Sequence, residues 1–128
     1  MPLNSAFTSV RLRSGLLLLT LLTSLPLQAA TLSHVVMIWM KADASTSDIE
    51  AAMAHSADLT AIPGVVAVKA GPPLPSERPV VDDSFTFGVH IELQDSSVLP
   101  GYLQHPLHVE YVDRYLKGKM EKLLIYDF

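Results

Sequence analysis

Two tyrosines and two histidines lie within ten consecutive residues, from Tyr102 to Tyr111, and they are the clearest chemical signal in the sequence. Pro106 has no backbone N–H and disfavours a helical conformation at the residue before it. A helix through Tyr102 should therefore break near His105 and begin again with Pro106 in its first turn. An imidazole can take up a proton near neutral pH, and a phenol can position an oxygen. We expect a small polar site at this break, built from Tyr102, His105 and His108.

The positions of the two histidines favour different interpretations. His105 stands at the end of the broken helix, where its imidazole can cap free backbone groups or bond a carbonyl, so we interpret it first as structural. His108 lies beyond the break and is the better functional candidate. Tyr102 is amphipathic, and its ring can also fill core space while its hydroxyl finds a partner.

The spacing of the two histidines also raises the question of a metal site. Glu110 and Asp113 follow closely and could add oxygen ligands. However, the sequence has no HExxH motif, a proline separates the histidines, and only two imidazoles are offered. We therefore predict that the protein has no metal site.

Residues 1–30 have the composition of a secretory signal peptide. Arg11 and Arg13 precede an apolar run, Gly15 to Leu25, and small residues follow it at Ala29 and Ala30. The run is short for a membrane span, and the twin-arginine pattern is absent because one residue separates the two arginines. We predict cleavage after Ala29 or Ala30 and export to the periplasm or the medium, with an uncleaved membrane anchor as the alternative.

Without this leader the chain is acidic and has no cysteine. Seven basic residues remain against thirteen acidic ones, a net charge of −6 with the histidines neutral. Such a domain, without a Lys/Arg cluster, is a poor candidate for binding nucleic acid or a membrane surface. The lack of cysteine excludes disulfides and thiolate chemistry. A domain this small therefore gains much from oligomerisation.

Hydrophobic periodicity in residues 31–128 predicts a single α+β domain. Strand-like and helix-like patterns follow one another in the order β-α-β-β-α-β, which is the ferredoxin-like arrangement with an antiparallel sheet. The predicted strands are 33–41, 65–70, 85–93 and 121–128, and the predicted helices are 47–60, 98–104 and 106–116.

Local patterns add detail to this order. Ser47 and Glu50 match a capping box at the start of the first helix. A proline-rich segment, residues 71–84, joins the second and third strands and is either an ordered flap or a mobile linker. The apolar residues expected along one side of the last helix are Val109, Val112 and Leu116.

The first predicted strand is apolar on both faces. One face carries His34, Val36, Ile38 and Met40, and the other carries Val35, Met37 and Trp39. A single layer of helices covers only one side of a sheet, so the other side needs a second apolar surface. We predict a homodimer in which the sheet of another copy supplies that surface.

From His34 to Phe128 the sequence resembles the stress-responsive A/B barrel family, known as Dabb. The resemblance rests on His34 and Lys41 at the two ends of the first strand, on Ile62-Pro63-Gly64-Val65, and on the pattern YxxHPxH from Tyr102 to His108. It implies that residues 31–128 form one such domain and that two copies close into a dimeric α/β barrel.

The family includes plant polyketide cyclases that perform an intramolecular aldol condensation without a cofactor. The resemblance implies that His108 is a general base at an acidic carbon and that Tyr102 bonds a carbonyl oxygen. Phe87 stands where some cyclases carry a histidine, and we expect His34, Phe87 and His105 to contact the ligand. The sequence departs from those enzymes at Phe87 and in residues 71–84, and its expected export separates it from cytosolic thioesters.

Three classes of function are compatible with these features. The first is an exported homodimeric module that binds a small hydrophobic or aromatic ligand and uses no cofactor. The second is a cofactor-free, polyketide-cyclase-like lyase that uses His108 and Tyr102. The third is a monooxygenase-like or haem-handling protein in which His34, His90 or His108 would ligate iron. The sequence leaves open whether the protein is an enzyme.

Overall fold

The structure, a computed structural model, describes residues 29–128, so the predicted leader lies outside the described residues except for its last two positions. The strands are β1 (Leu32–Met40), β2 (Val65–Gly71), β3 (Phe87–Leu93) and β4 (Met120–Asp127). The helices are α1 (Thr46–His55), α2 (Leu99–Gln104) and α3 (Pro106–Tyr111). A 3₁₀ segment (Ser56–Ala61) continues α1, another (Ser96–Val98) precedes α2, and a π-helical turn (Val112–Leu116) follows α3. Within residues 29–128, no helix has the length and apolarity that crossing a bilayer requires.

The four strands pair antiparallel in the order β2-β3-β1-β4. The predicted element order and the ferredoxin-like sheet are therefore confirmed. Alternation along the two central strands gives the sheet an inner face, which the helices cover, and an outer face. The buried inner-face residues of these two strands are His34, Val36, Ile38, Met40, Phe87, Val89, Ile91 and Leu93.

The outer face of the sheet is apolar and only partly covered. Val35 and Met37 of β1 are half-buried on this face. In the strand register, Tyr126 of β4 lies opposite Val35, and Leu124 lies opposite Met37. Leu124 is 37% exposed and Tyr126 is 52% exposed. This face therefore leaves a contiguous apolar surface uncovered within the described chain.

The N-cap of helix α1 lies two residues earlier than its sequence pattern predicted. The N-cap is Ser45, whose hydroxyl accepts the backbone N–H of Asp48 at 3.1 Å. The Ser45 hydroxyl also donates to the Asp48 carboxylate at 2.8 Å. The predicted capping box of Ser47 and Glu50 is therefore wrong, because Ser45 already holds the cap position and Asp48 takes the acidic position three residues later.

One of the three residues predicted to face the core from the last helical segment does not do so. Leu116 is buried and Val112 packs against the core, as predicted, but Val109 is exposed. Val109 is 46% exposed, whereas Tyr111 is 6% exposed and its hydroxyl donates to the carbonyl of Ala52 at 2.7 Å. The prediction assumed one regular helical period, but α3 begins afresh at Pro106 and widens into the π-helical turn after Tyr111. These changes alter which residues face the sheet.

After Gly71, which ends β2, the proline-rich segment contains no helix or strand. The backbone N–H of Ser76 donates to the Asp83 carboxylate at 2.9 Å, and the Trp39 indole N–H donates to the Ser84 hydroxyl at 3.1 Å. The segment lies against the outer face, where its first residues border a hollow beside Val35. It takes no part in the cavity on the inner face.

Candidate functional site

A cavity of about 230 Å³ lies between the inner face of the sheet and the helices that follow β3. Most of its wall is aliphatic. Val36 and Ile91 contribute from the central strands, Leu123 and Ile125 from β4, and Val112 from the π-helical turn. Turns of this π type often occur at functional sites. The cavity is therefore an apolar space whose few polar groups decide what it can bind.

The predicted helix break forms one end of this cavity. His105 has an extended backbone between α2 and α3, and its Nδ1 accepts the backbone N–H of Leu107 at 3.2 Å. The break and the capping role of His105 are thus as predicted from Pro106. The imidazole of His105 is engaged in the cap, and the residue does not line the cavity.

His108 lies in the first turn of α3 and lines the cavity. Its Nδ1–H donates to the carbonyl of Leu103 at 3.0 Å, which bridges the break. In the neutral ring the lone pair is then on Nε2. Burial lowers the pKa of His108, the bond to Leu103 raises it, and the nearby His34 lowers it again, with a net decrease. His108 is therefore a neutral hydrogen-bond acceptor near neutral pH.

Tyr102 lines the cavity close to two imidazoles that also line it. Its ring centroid is 4.8 Å from that of His108 and 5.6 Å from that of His34. The residue is 2% exposed, and burial raises the pKa of Tyr102 well above its usual range. Its hydroxyl has no hydrogen-bond partner among residues 29–128, yet it is not sealed from the cavity. Tyr102 therefore offers a protonated hydroxyl as a free donor.

His34 is the third polar residue of the site, and it brings a carboxylate with it. His34 is 3% exposed, and its Nδ1–H donates to the Asp127 carboxylate at 2.6 Å. The two residues are paired across β1 and β4, so their side chains share the inner face. The Asp127 bond fixes the ring orientation of His34 and, in the neutral ring, leaves the Nε2 lone pair on the other side.

Asp127 was not among the residues predicted for the site. The sequence shows an acidic residue next to the end of the last predicted strand, which alone carries no signal of function. Only the antiparallel register of β4 against β1 brings Asp127 to His34. A pattern search could have found the pair only after the two strands were assumed to be neighbours.

The remaining predicted residues lie outside this group. Phe87 is fully buried on the inner face of β3 but does not line the cavity. His90 lies on the outer face, where its Nε2 is 3.1 Å from the Ser33 hydroxyl. His34, His90 and His108 therefore do not converge on one point. In the described part of the chain, no three His, Cys, Asp or Glu side chains are grouped as metal ligands.

Residues 32–128 match the family model for the stress responsive A/B barrel domain. The match begins at the first residue of β1 and includes every strand and helix described above. The resemblance inferred from the sequence motifs is therefore confirmed. No curated protein matches the chain.

Solved structures with the same fold come from several organisms. A dabb family protein with a ferredoxin-like fold from Mesorhizobium loti is 25% identical, with a TM-score of 0.61, and the alignment covers 77% of this chain and 94% of that chain. For a hydroxynitrile lyase from Passiflora edulis the identity is 19%, the TM-score 0.67, and the coverage 77% and 91%. A dimeric ferredoxin-like protein of unknown function from Thermobifida fusca is 17% identical, with a TM-score of 0.66, and the alignment covers 79% of this chain and 92% of that chain. These similarities agree with the ferredoxin-like fold.

The lowered pKa of His108 predicts a specific dependence of stability on pH. The unfolded chain binds a proton at this residue more readily than the folded chain. The free energy of unfolding should therefore fall as the pH drops below about 6.5, the ordinary pKa of histidine, towards the lower pKa of folded His108. Urea unfolding of the wild type and of His108→Gln between about pH 5 and pH 8 measures this contribution.

His55→Gln is the control, because His55 is exposed on α1 and does not line the cavity. We expect the stability difference between wild type and His108→Gln to change with pH in the stated direction. A difference that stays constant across the range would contradict the lowered pKa.

Proposed function

The chain belongs to the stress responsive A/B barrel domain family, and we propose that it is an exported, homodimeric module that binds a small hydrophobic or aromatic molecule. The proposed site is the cavity of about 230 Å³ on the inner face of the sheet. One observation carries this proposal: the wall of the cavity is mostly aliphatic, and its unbonded phenol, Tyr102, has its ring close to the imidazoles of His34 and His108, whereas the hydroxyl of Tyr111 is already bonded to Ala52.

The size and lining of the cavity define the ligand that it can accept. Pockets for drug-sized ligands measure about 300–1,000 Å³, so this cavity suits a smaller molecule, such as one with an aromatic ring or a short chain. Burial of the apolar part of that molecule contributes about 25 cal/mol per Å². A polar group at one end of the ligand can then bond Tyr102 or an imidazole, which fixes the orientation of the ligand.

The homodimer is supported by the uncovered outer face of the sheet. Val35, Met37, Leu124 and Tyr126 form an apolar surface there, which residues 71–74 border beside Val35 and which no helix of the described chain covers. Exposed apolar patches of this kind mark interaction sites. The related protein from Thermobifida fusca is dimeric. We propose that the same face of a second copy packs against this surface, so that binding and dimerisation use opposite faces of one sheet.

Export is supported by the composition of residues 1–30, in which a basic start, a short apolar run and small residues follow one another.

Intact-mass spectrometry of the protein from the periplasm or the medium should give a chain that begins at Ala30 or Thr31. A mass for the full 128 residues in the cytosolic fraction would contradict export.

A second candidate function is a cofactor-free lyase, and a specific arrangement favours it. The Nε2 atom of His108 is free to accept a proton, and the Tyr102 hydroxyl is free to bond a carbonyl oxygen. The hydroxynitrile lyase from Passiflora edulis has the same fold. In this alternative, His108 would remove a proton from the ligand, and Tyr102 would stabilise the charge that develops on the oxygen.

Ligand binding can be tested by filling the cavity. Val112 lines the cavity, whereas Val109, three residues earlier, does not. Val112→Phe should weaken binding of benzoylacetone, an aromatic β-diketone, by about tenfold or more, because the larger ring occupies the ligand's space. Isothermal titration calorimetry measures the affinity, and circular dichroism checks that the variant is folded.

Val109→Phe is the matched control and should bind benzoylacetone like the wild type. Equal affinities for wild type and Val112→Phe would place any binding outside the cavity and refute the proposed site.

Chromatography of the same incubations, extended to other β-polyketones, distinguishes the two candidate functions. Binding without consumption supports the module, and consumption that is lost in both His108→Ala and Tyr102→Phe supports the lyase.

The homodimer can be tested with a charge on the outer face. Light scattering at micromolar concentration should give the mass of a dimer for the wild type and of a monomer for Leu124→Glu, because a buried, unpaired carboxylate opposes association. Val109→Glu, on the exposed side of α3, is the control and should remain dimeric. A wild-type protein with the mass of a monomer would contradict the proposed homodimer.

A further inference from the structure

The polar end of the cavity offers more hydrogen-bond acceptors than donors. The Nδ1 atoms of His34 and His108 are both used as donors, to the Asp127 carboxylate and to the Leu103 carbonyl. Each neutral ring therefore presents an Nε2 lone pair as an acceptor. Among the described residues that line the cavity, Tyr102 has a hydroxyl that is free to donate, whereas the hydroxyl of Tyr111 already donates to the Ala52 carbonyl. A complementary ligand must both donate and accept, as a hydroxyl group does.

The cavity also lacks positive charge. No lysine or arginine is among the residues that line it in the described chain. The nearby cations are held by other partners. Lys122 lies over the Trp39 ring on the outer face at 4.2 Å, and Lys119 donates to the Asp48 carboxylate at 2.7 Å. A bound anion would therefore find no lysine or arginine in the described cavity wall to neutralise it, and Lys119 and Lys122 are held by other partners.

The pairing of His34 with Asp127 prevents a net positive charge on this pair whether His34 is neutral or protonated. With His34 neutral, the pair carries the single negative charge of Asp127. With His34 protonated, the charge of Asp127 neutralises it at 2.6 Å. His108 stays neutral near neutral pH because burial lowers its pKa. Near neutral pH, the net charge of these three groups is thus negative or zero.

From these observations we infer that the cavity selects neutral ligands that carry a hydroxyl group and discriminates against carboxylates of the same size. This inference rests on the ligand-binding function proposed above and names its ligand class. A hydroxyl can donate to an imidazole Nε2 and accept from Tyr102 at the same time. A carboxylate has no proton to donate, loses its hydration in an apolar space and meets the negative charge of Asp127.

The test compares two ligands that share one apolar body, 2-naphthalenemethanol and 2-naphthoate, at a pH near neutral where the second is ionised. Isothermal titration calorimetry with the dimeric wild-type protein should give a dissociation constant at least about tenfold lower for the alcohol. Tighter or equal binding of 2-naphthoate would overturn the inference, and the cavity would still stand as the binding site.

A positive charge inserted into the cavity wall should reduce or abolish the preference for the alcohol. Leu103 lines the cavity at α2 and is 41% exposed, so a lysine is tolerated there while its ammonium group reaches the cavity. Leu103→Lys should tighten binding of 2-naphthoate by about tenfold relative to the alcohol. Val109→Lys, 46% exposed on α3 and outside the cavity, should leave the ratio of the two affinities unchanged.

Asp127→Asn provides a second variant that keeps a hydrogen-bond acceptor for His34 but removes the negative charge. It should narrow the preference for the alcohol, whereas a preference unchanged in both Asp127→Asn and Leu103→Lys would overturn the electrostatic argument. Absence of binding for both ligands, together with no effect of Val112→Phe on benzoylacetone, would instead refute the proposed function and the inference with it. The two failures are therefore distinguishable.

Discussion

The missing backbone N–H of Pro106 organises the polar end of the cavity, because a regular helix cannot continue through that residue. The chain must end α2 before it and begin α3 with it. The break leaves backbone groups without helical partners, and two imidazoles bond them. His105 accepts the backbone N–H of Leu107, while His108 donates to the Leu103 carbonyl. The same break that ends the helix thus orients His108 through its Nδ1 atom and leaves its Nε2 atom without a hydrogen bond within residues 29–128.

A second constraint comes from the pairing of β1 with β4. This pairing places Asp127 beside His34 on the inner face, where its carboxylate bonds the Nδ1 atom of the imidazole. Burial acts on the other two groups, since it raises the pKa of Tyr102 and lowers that of His108, and so favours the uncharged form of each. The site consequently combines several hydrogen-bonding atoms with no lysine or arginine among the described residues of a largely aliphatic cavity wall.

Several features followed from the sequence because they depend on residues that are close in the chain. The helix break depends on Pro106 and its neighbours, and the alternation of β3 shows directly which residues share a face. The N-cap of α1 was predicted wrongly from the sequence, because Ser45 and Ser47 are both good N-cap residues and only the folded chain decides between them. The exposure of Val109 was also missed, since the π-helical turn that follows α3 has no recognisable sequence pattern.

The sequence by itself determined the order of the strands and helices, the break at His105 and the presence of Tyr102 and His108 at one place in the fold. Tertiary structure alone decided that Asp127 pairs with His34, that Phe87 packs away from the cavity and that His90 faces the opposite side of the sheet. The reason is physical. Propensity and periodicity act between near neighbours, whereas a contact across 93 residues exists only after the strands have paired in one register.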